Sequence, residues 1–291
     1  MTKTPAVAVE PLSPLLIEPA VRAALLEDFG RAGDLTTQAT IPASATAHAV
    51  LAARESGRIA GLDFALTAFR LMDPAIRVAV RAPDGSDVAK SDVVAIIDGP
   101  ARPILTGERV ALNFLGQLSG VATATARLVR LCEGTKARVV CTRKTTPGLR
   151  AFEKYAVRCG GGHNHRFGLD DGILIKDNHI VAAGGIANAI KAARAHAGHM
   201  VHIEIEVDGL EQLEKALELG ANAILLDNMK PDQLREAVKR TAGRAILEAS
   251  GNVSADTIAA IAATGVDLIS SGAITHSPKC LDLGLDFQHS A

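Results

Sequence analysis

The sequence has no tryptophan, one tyrosine (Tyr155) and seven phenylalanines, so aromatic residues make up only 3% of its 291 positions. Proteins that bind single-stranded nucleic acid stack the bases on aromatic rings, and that class of function loses its main instrument here. Net charge is lacking as well: 31 Lys and Arg stand against 32 Asp and Glu. No overall field attracts a polyanion, so any anion site has to be built locally. The four cysteines (Cys132, Cys141, Cys159 and Cys280) are irregularly spaced and form no C-x-x-C pair, which points to a reducing compartment rather than a disulfide framework. No run of 18 apolar residues exists to span a membrane. The N-terminal stretch carries Pro5, Glu10, Pro11 and Pro14 and lacks the apolar region of a signal peptide. No G-x-G-x-x-G follows a strand candidate, which counts against a dinucleotide fold. The expectation is a cytoplasmic protein with neither nucleic acid nor membrane as partner.

Small aliphatic side chains are abundant. Hydrophobic residues reach 48%, enough for a large core of Ala, Val, Leu and Ile. The length suits two domains, or one barrel with an extension. Before residue 126 the pattern is mixed. It predicts a helix at 18–28 ended by Gly30, a turn at Gly33-Asp34-Leu35-Thr36-Thr37, short strands at 47–53, 76–80 and 93–97, and a long helix at 107–130. From Arg138 onward short apolar runs alternate with amphipathic helices. Strands are expected at 138–142, 173–175, 201–207, 223–226, 245–248 and 268–270. Helices are expected at 186–196, 210–219, 231–241 and 255–263, with Pro231 in a first turn, Gly220 after a last one and Ser254 as a cap. Such alternation implies a parallel sheet, either a closed barrel or a doubly wound sheet.

Each of these strands runs into polar residues: Thr142-Arg143-Lys144, Lys176-Asp177-Asn178, Asp208 after Glu204 and Glu206, Asp227-Asn228, Ser250-Gly251-Asn252 and Ser271-Gly272. One such end is an ordinary turn. Six with this mix form a site if the sheet is a parallel barrel, where all C-terminal ends share one face. Arg143, Lys144, Arg166 and Lys176 suit anions, and the arginine fork suits a carboxylate. Glu204, Glu206 and Asp227 suit Mg²⁺ or ribose hydroxyls. The Ser-Gly turns leave N–H groups for a phosphate. The loop Gly160-Gly161-Gly162-His163-Asn164-His165-Arg166 reads as an anion contact, against the alternatives of a solvated histidine pair or a metal site. Arg109, near the start of the helix expected at 107, opposes that helix's dipole; it is either a solvated side chain or placed to meet an anion. The sum is an enzyme that joins a phosphorylated, metal-assisted substrate to a carboxylate-bearing one.

Thr142-Arg143-Lys144-Thr145-Thr146-Pro147-Gly148-Leu149-Arg150 resembles the signature loop of the quinolinate phosphoribosyltransferases. The segment from Gly160 to Leu169 and the runs Leu174-Ile175-Lys176-Asp177-Asn178-His179, Ile203-Glu204-Ile205-Glu206-Val207-Asp208, Leu225-Leu226-Asp227-Asn228-Met229, Glu248-Ala249-Ser250-Gly251-Asn252 and Ser271-Gly272-Ala273-Ile274-Thr275-His276-Ser277 continue the likeness in order, as does Glu27-Asp28-Phe29-Gly30 upstream. The resemblance implies an N-terminal α/β sandwich domain at 1–126, an incomplete, seven-element α/β barrel at 127–274 and a C-terminal segment at 275–291 that returns to the first domain. It implies transfer of a phosphoribosyl group from phosphoribosyl pyrophosphate to quinolinate with Mg²⁺, giving nicotinate mononucleotide, pyrophosphate and CO₂ in NAD biosynthesis. It implies a homodimer with shared active sites, further assembly being left open. Carried over by motif, Arg143, His165 and Arg166 hold the quinolinate carboxylates, with Lys144 and Lys176 nearby as catalytic cations. Arg109 reaches in from the partner. Glu206 and Asp227 serve the ribose and Mg²⁺, with Glu204 beside them. Ser250, Gly251, Ser271 and Gly272 cradle the 5′-phosphate. A related pyrophosphorylase-like protein of molybdenum metabolism and a non-catalytic binding barrel are the rival readings. The first is disfavoured by the complete Arg143, His165 and Arg166 set, and the second by the mixture of Lys, Glu and Asp at the strand ends.

Overall fold

The computed structural model describes residues 9–288. The signal-peptide reading of the first eight residues and the last three residues of the C-terminal segment lie outside that range. The chain divides into two compact units. One holds the residues up to Ala126, Arg158–Gly161 and those from Pro278 on; the other holds Arg127–Val157 and Gly162–Ser277.

In the first unit, α1 (Pro14–Phe29) starts where Ser13 Oγ accepts from Leu15 N at 3.3 Å and Pro14 takes the first turn. It buries Ile17, Val21 and Leu25, one residue per turn, and ends at Gly30. The expected turn at Gly33–Thr37 is instead the start of a helix, α2 (Leu35–Thr40), because Asp34 Oδ1 accepts from Thr37 N at 2.9 Å and caps it. Next come β1 (Thr46–Ala53), β2 (Gly57–Arg58), α3 (Leu62–Met72), β3 (Arg77–Val80), β4 (Asp87–Val88), β5 (Val93–Pro100) and α4 (Ala101–Leu131). The sequence expectation lacks α3, which buries Leu62, Phe64, Ala65, Ala68 and Phe69 and stacks Phe64 on Phe114 at 5.0 Å between ring centroids. α4 starts six residues before the expected Gly107.

In the second unit the elements are β6 (Arg138–Val140), α5 (Arg150–Cys159), β7 (Ile173–Ile175), α6 (Asp177–Ala182), α7 (Ile186–His196), β8 (Ile203–Val207), α8 (Leu210–Glu218), β9 (Ala223–Asp227), α9 (Pro231–Thr241), β10 (Ile246–Ser250), α10 (Ile258–Ala262), β11 (Leu268–Ser270) and α11 (Ala273–His276). Every expected strand is present within a few residues, whereas α5 and α6 were not foreseen. The helix expected at 255–263 begins only at Ile258. Ser254 Oγ accepts from Asp256 N at 3.2 Å in a turn that comes first. The six strands form one parallel sheet in the order β6-β11-β10-β9-β8-β7. β6 and β7, first and second in sequence, lie at opposite edges.

The final strand, β12 (Leu283–Phe287), belongs to the first unit and runs antiparallel to β1. It completes a four-stranded antiparallel sheet in the order β12-β1-β5-β3. The run-up to β12 lies against α4. A Cβ on Gly120 would sit 2.3 Å from Lys279 O, and one on Gly116 3.0 Å from Leu281 O. Leu281 N donates to Gly116 O at 2.9 Å. Gly116 and Gly120 inside α4 are thus explained by a second backbone passing against the helix. The fold is α/β, with the parallel sheet carrying nearly all the candidate site residues.

Candidate active site

The parallel register sets the C-terminal ends of neighbouring strands side by side. Ser250 at the end of β10 pairs with Asp227 at the end of β9, and Glu206 on β8 pairs with Leu225 on β9. A cavity of about 660 Å³ opens over these ends. Arg143, Lys144, His165, Arg166 and Lys176 line it together with Glu206 and Asp227. Ser250, Gly251, Asn252, Asn228 and Ser270 complete its other side.

The phosphate-like side depends on backbone placement. Asn228 and Asn252 adopt left-handed conformations, φ 53° and 52°, which asparagine tolerates better than most residues. Asn252 Nδ2 donates to Asn228 Oδ1 at 3.2 Å, and Asn228 Nδ2 donates to Asp227 Oδ2 at 2.6 Å. Gly251 has φ 92°, and a Cβ there would stand 2.1 Å from Asn228 Oδ1; both facts require glycine. A Cβ on Gly272 would meet Lys144 Cδ at 2.8 Å, so the loop after β11 lies directly against the loop after β6. Ser271 and Gly272 are nonetheless not on the cavity wall, which Ser270 reaches in their place. Ser271 Oγ is buried without a hydrogen-bond partner.

The cationic side holds two guanidinium groups. Arg143 Nε is buried and has no acceptor. Arg166 donates through Nη1 to Gly172 O at 2.9 Å. Burial, followed by the neighbouring Arg143 charge, holds the Arg166 guanidinium below its usual range, with partial relief from Asp171 and Glu204. Two repelling cations on one wall suit a ligand with more than one negative charge. Lys176 Nζ donates to Glu206 Oε2, placing a cation and a carboxylate in contact on the same floor.

Glu204 and Glu206 point to one face of β8, two residues apart, but at different depths. Glu206 lines the large cavity. Glu204 lines a second cavity, of about 230 Å³, towards the N-terminal ends of the strands. His165, Arg166 and Glu248 border both cavities. His165 Nε2 lies 2.9 Å from Glu204 Oε2 and 3.7 Å from Glu248 Oε2, and the three groups have the spacing of metal ligands, within 4.8 Å. The histidine's other nitrogen decides against that role. Nδ1 accepts from Arg166 N at 2.8 Å, so the ring proton sits on Nε2 and faces Glu204. With that proton in place, Nε2 has no lone pair for a cation. The same contacts spend both ring nitrogens on protein partners, which the sequence reading of His165 as a carboxylate contact does not anticipate. Burial alone lowers the His165 value, but the hydrogen bond to Glu204 and the charges of Glu248 and Glu204 outweigh it and raise the net value. Glu248, 1% exposed, accepts no hydrogen bond on either oxygen. Burial and then the Glu204 charge push it up to about 7.

Arg109 lies in the first unit, on α4, and is exposed. With the helix starting at Ala101, Arg109 stands in its third turn, so the conflict with the helix dipole expected from a start at Gly107 disappears. Among the wall residues that the sequence reading did not assign are Glu248, Asn228 and Asn252. Their signal was available, since all three sit in the strand-end motifs.

A parallel sheet whose C-terminal ends gather cations, carboxylates and Ser-Gly turns around one cavity defines an enzyme site for two anionic substrates. The comparisons narrow this class. Residues 34–119 match the quinolinate phosphoribosyl transferase N-terminal domain and residues 121–286 match its C-terminal domain. The chain is 46% identical over 261 residues to a probable nicotinate-nucleotide pyrophosphorylase [carboxylating] of Bacillus subtilis (strain 168), covering 90% of each. It is 45% identical over 274 residues to the nicotinate-nucleotide pyrophosphorylase [carboxylating] of Mycobacterium leprae (strain TN), covering 91% of this chain and 95% of the other. NadC from Streptococcus pyogenes superposes with a TM-score of 0.92 at 42% identity, covering 96% of this chain and 100% of that one. The chain belongs to the quinolinate phosphoribosyltransferase family.

Proposed function

We propose that the chain transfers the phosphoribosyl group of phosphoribosyl pyrophosphate to quinolinate and releases CO₂, yielding nicotinate mononucleotide and pyrophosphate for NAD biosynthesis. The observation that carries this reading is the polarity of the 660 Å³ cavity. Its wall combines the Arg143 and Arg166 guanidinium groups and the Lys144 and Lys176 amines with three carboxylates, Glu206, Asp227 and Glu248, and the Ser250-Gly251 backbone. Arg143 and Arg166 hold the two carboxylates of quinolinate as paired forks. Ser250 and Gly251 take the 5′-phosphate, with Ser271 and Gly272 shaping the turn behind Lys144. Glu206 and Asp227 face the ribose. As the pyrophosphate leaves, positive charge grows on the ribose carbon, and these carboxylates stabilise it while Lys144 and Lys176 stabilise the departing anion. The pyridine nitrogen then bonds to that carbon. Breaking the bond to the adjacent carboxylate releases CO₂ and leaves its electron pair on the ring carbon, stabilised by the ring's positive nitrogen, until a proton from water replaces the lost group.

Mg²⁺ is the metal that fits. Glu206 and Asp227 are hard oxygen donors on neighbouring strands of one cavity, and Mg²⁺ takes one or two carboxylates together with phosphate oxygens. When bound, it supplies charge neutralisation for the pyrophosphate. We read the open parallel sheet as an incomplete α/β barrel whose gap lies between β6 and β7, and the chain as a cytoplasmic homodimer to which each partner lends Arg109. The deciding assay is CO₂ release from carboxyl-labelled quinolinate with phosphoribosyl pyrophosphate and Mg²⁺. Quinolinate turns over and nicotinate, which has one carboxylate fewer, does not, because losing a charged contact costs about 2–5 kcal/mol. Comparable turnover of nicotinate would overturn the assignment.

A further inference from the structure

Arg143 and Arg166 sit on separate chain segments, so a ligand that spans them depends on how far apart those segments are held. Backbone pairing covers only the approach to them. His163 N donates to Val139 O at 2.8 Å and Cys141 N donates to His163 O at 3.1 Å. The next rung is a side chain. Lys154, on α5, is 1% exposed. Its Nζ donates to Cys141 Sγ at 3.0 Å and to His165 O at 2.8 Å. Cys141 Sγ in turn donates to Asn164 Oδ1 at 3.4 Å. Each tethered group lies one or two residues before a guanidinium: Cys141 before Arg143, and His165 before Arg166. Lys154 is not on the cavity wall, so it acts on a ligand only through these neighbours.

A buried amine is a poor choice for stability alone. Its desolvation offsets the hydrogen bonds it makes, and an apolar side chain of similar volume is often as stable or more so. The position of Lys154 is better explained by geometry. We propose that Lys154 is a specificity-determining positioning residue, whose simultaneous bonds to Cys141 Sγ and His165 O set the separation of the Arg143 and Arg166 guanidinium groups to that of two carboxylates on adjacent ring carbons. The inference rests on quinolinate being the acceptor.

The test compares the wild type, Lys154→Met and Cys141→Ser by steady-state CO₂ release and thermal unfolding. In Lys154→Met the KM for quinolinate rises by about tenfold or more, as expected when a charged contact is misaligned. The KM for phosphoribosyl pyrophosphate and the melting temperature stay close to wild type. Cys141→Ser keeps an acceptor for Nζ and retains the wild-type KM for quinolinate. A wild-type KM for quinolinate in Lys154→Met overturns the proposal, as does a parallel rise in both KM values. If Lys154→Met is not recovered folded, Cys141→Ala replaces it, and a KM for quinolinate equal to that of Cys141→Ser is then the overturning result. Should the wild type release no CO₂ from quinolinate, the functional reading itself falls. Should it do so while Lys154→Met matches it, only the role of Lys154 falls.

Discussion

Glu248 places an ionisable carboxyl beside Glu204 in a buried setting, where His165, Ser270 and Lys176 relieve it only in part. Its value rises from the ordinary 4.5 to about 7, so the folded protein keeps this proton where the unfolded chain has lost it. Stability therefore falls as pH rises from about 4.5 to about 7. His165 pulls the same way, because a raised histidine contributes its stability at low pH and loses it as pH rises through the folded value. Glu248→Gln removes the larger buried charge. The variant and the wild type should have similar denaturant midpoints at pH 5, and the variant should be the more stable at pH 8; a gain of equal size at both pH values refutes this account. Asp227 carries a second expectation. Asp227→Asn keeps the shape of the strand end and removes one charge from the ribose and metal side, so kcat should drop by about 10²–10³-fold with the unfolding midpoint unchanged. An unaltered magnesium dependence would remove Asp227 from that role. Arg143, Lys144, Lys176, Glu206 and Asp227 were legible in the sequence because each stands where a strand gives way to a polar turn. The depth of Glu204 was not, since strand alternation gives the face a side chain points to and says nothing of how far along the sheet a cavity extends. Lys154 was hidden for a related reason. Charged residues 150, 153, 154 and 158 mark one face of α5, which reads as solvated, yet Glu153 is 0% and Lys154 1% exposed.

Elements with strong end signals were foreseen, and those defined by tertiary contact were not. α9 has Pro231 in its first turn and buries Leu234, Ala237 and Thr241, and its limits match the expectation. α2 was mistaken for a turn because Gly33-Asp34 serves a turn and a helix cap equally well. β2 and β4 are two residues each and are too short to show a period. In α4 the glycines look like defects, and in an isolated helix Gly→Ala gains up to about 1 kcal/mol. At position 120 the opposite is expected. A methyl group 2.3 Å from Lys279 O forces the segment leading to β12 away from the helix, so Gly120→Ala should lower stability by about 1–3 kcal/mol. Equilibrium urea unfolding measures this, and a stabilised variant would mean that the segment yields without cost.

At the scale of the whole molecule, the reading of Arg109 as a borrowed residue separates two groups that a monomer would have to supply alone. Arg109→Ala and Lys176→Ala homodimers should both be nearly inactive. After subunit exchange, a mixed dimer carries one site with both defects and one with neither. Random exchange makes about half of the dimers mixed, so about a quarter of wild-type activity returns. Mixed dimers verified by mass spectrometry with no recovered activity would place Arg109 in its own subunit's chemistry. The strand order of the parallel sheet has a consequence for the order in which the chain can fold. Within the sheet β6 lies beside β11, through Arg138↔Leu268 and its neighbours, so the strand leading into Arg143 and Lys144 is held by the short bridge from Val140 to His163 but lacks its sheet neighbour until almost the entire second unit has been synthesised. Closing so long a loop is slow, and a ribosome-bound chain that ends before β11 carries its two signature cations on a strand that still lacks its parallel neighbour.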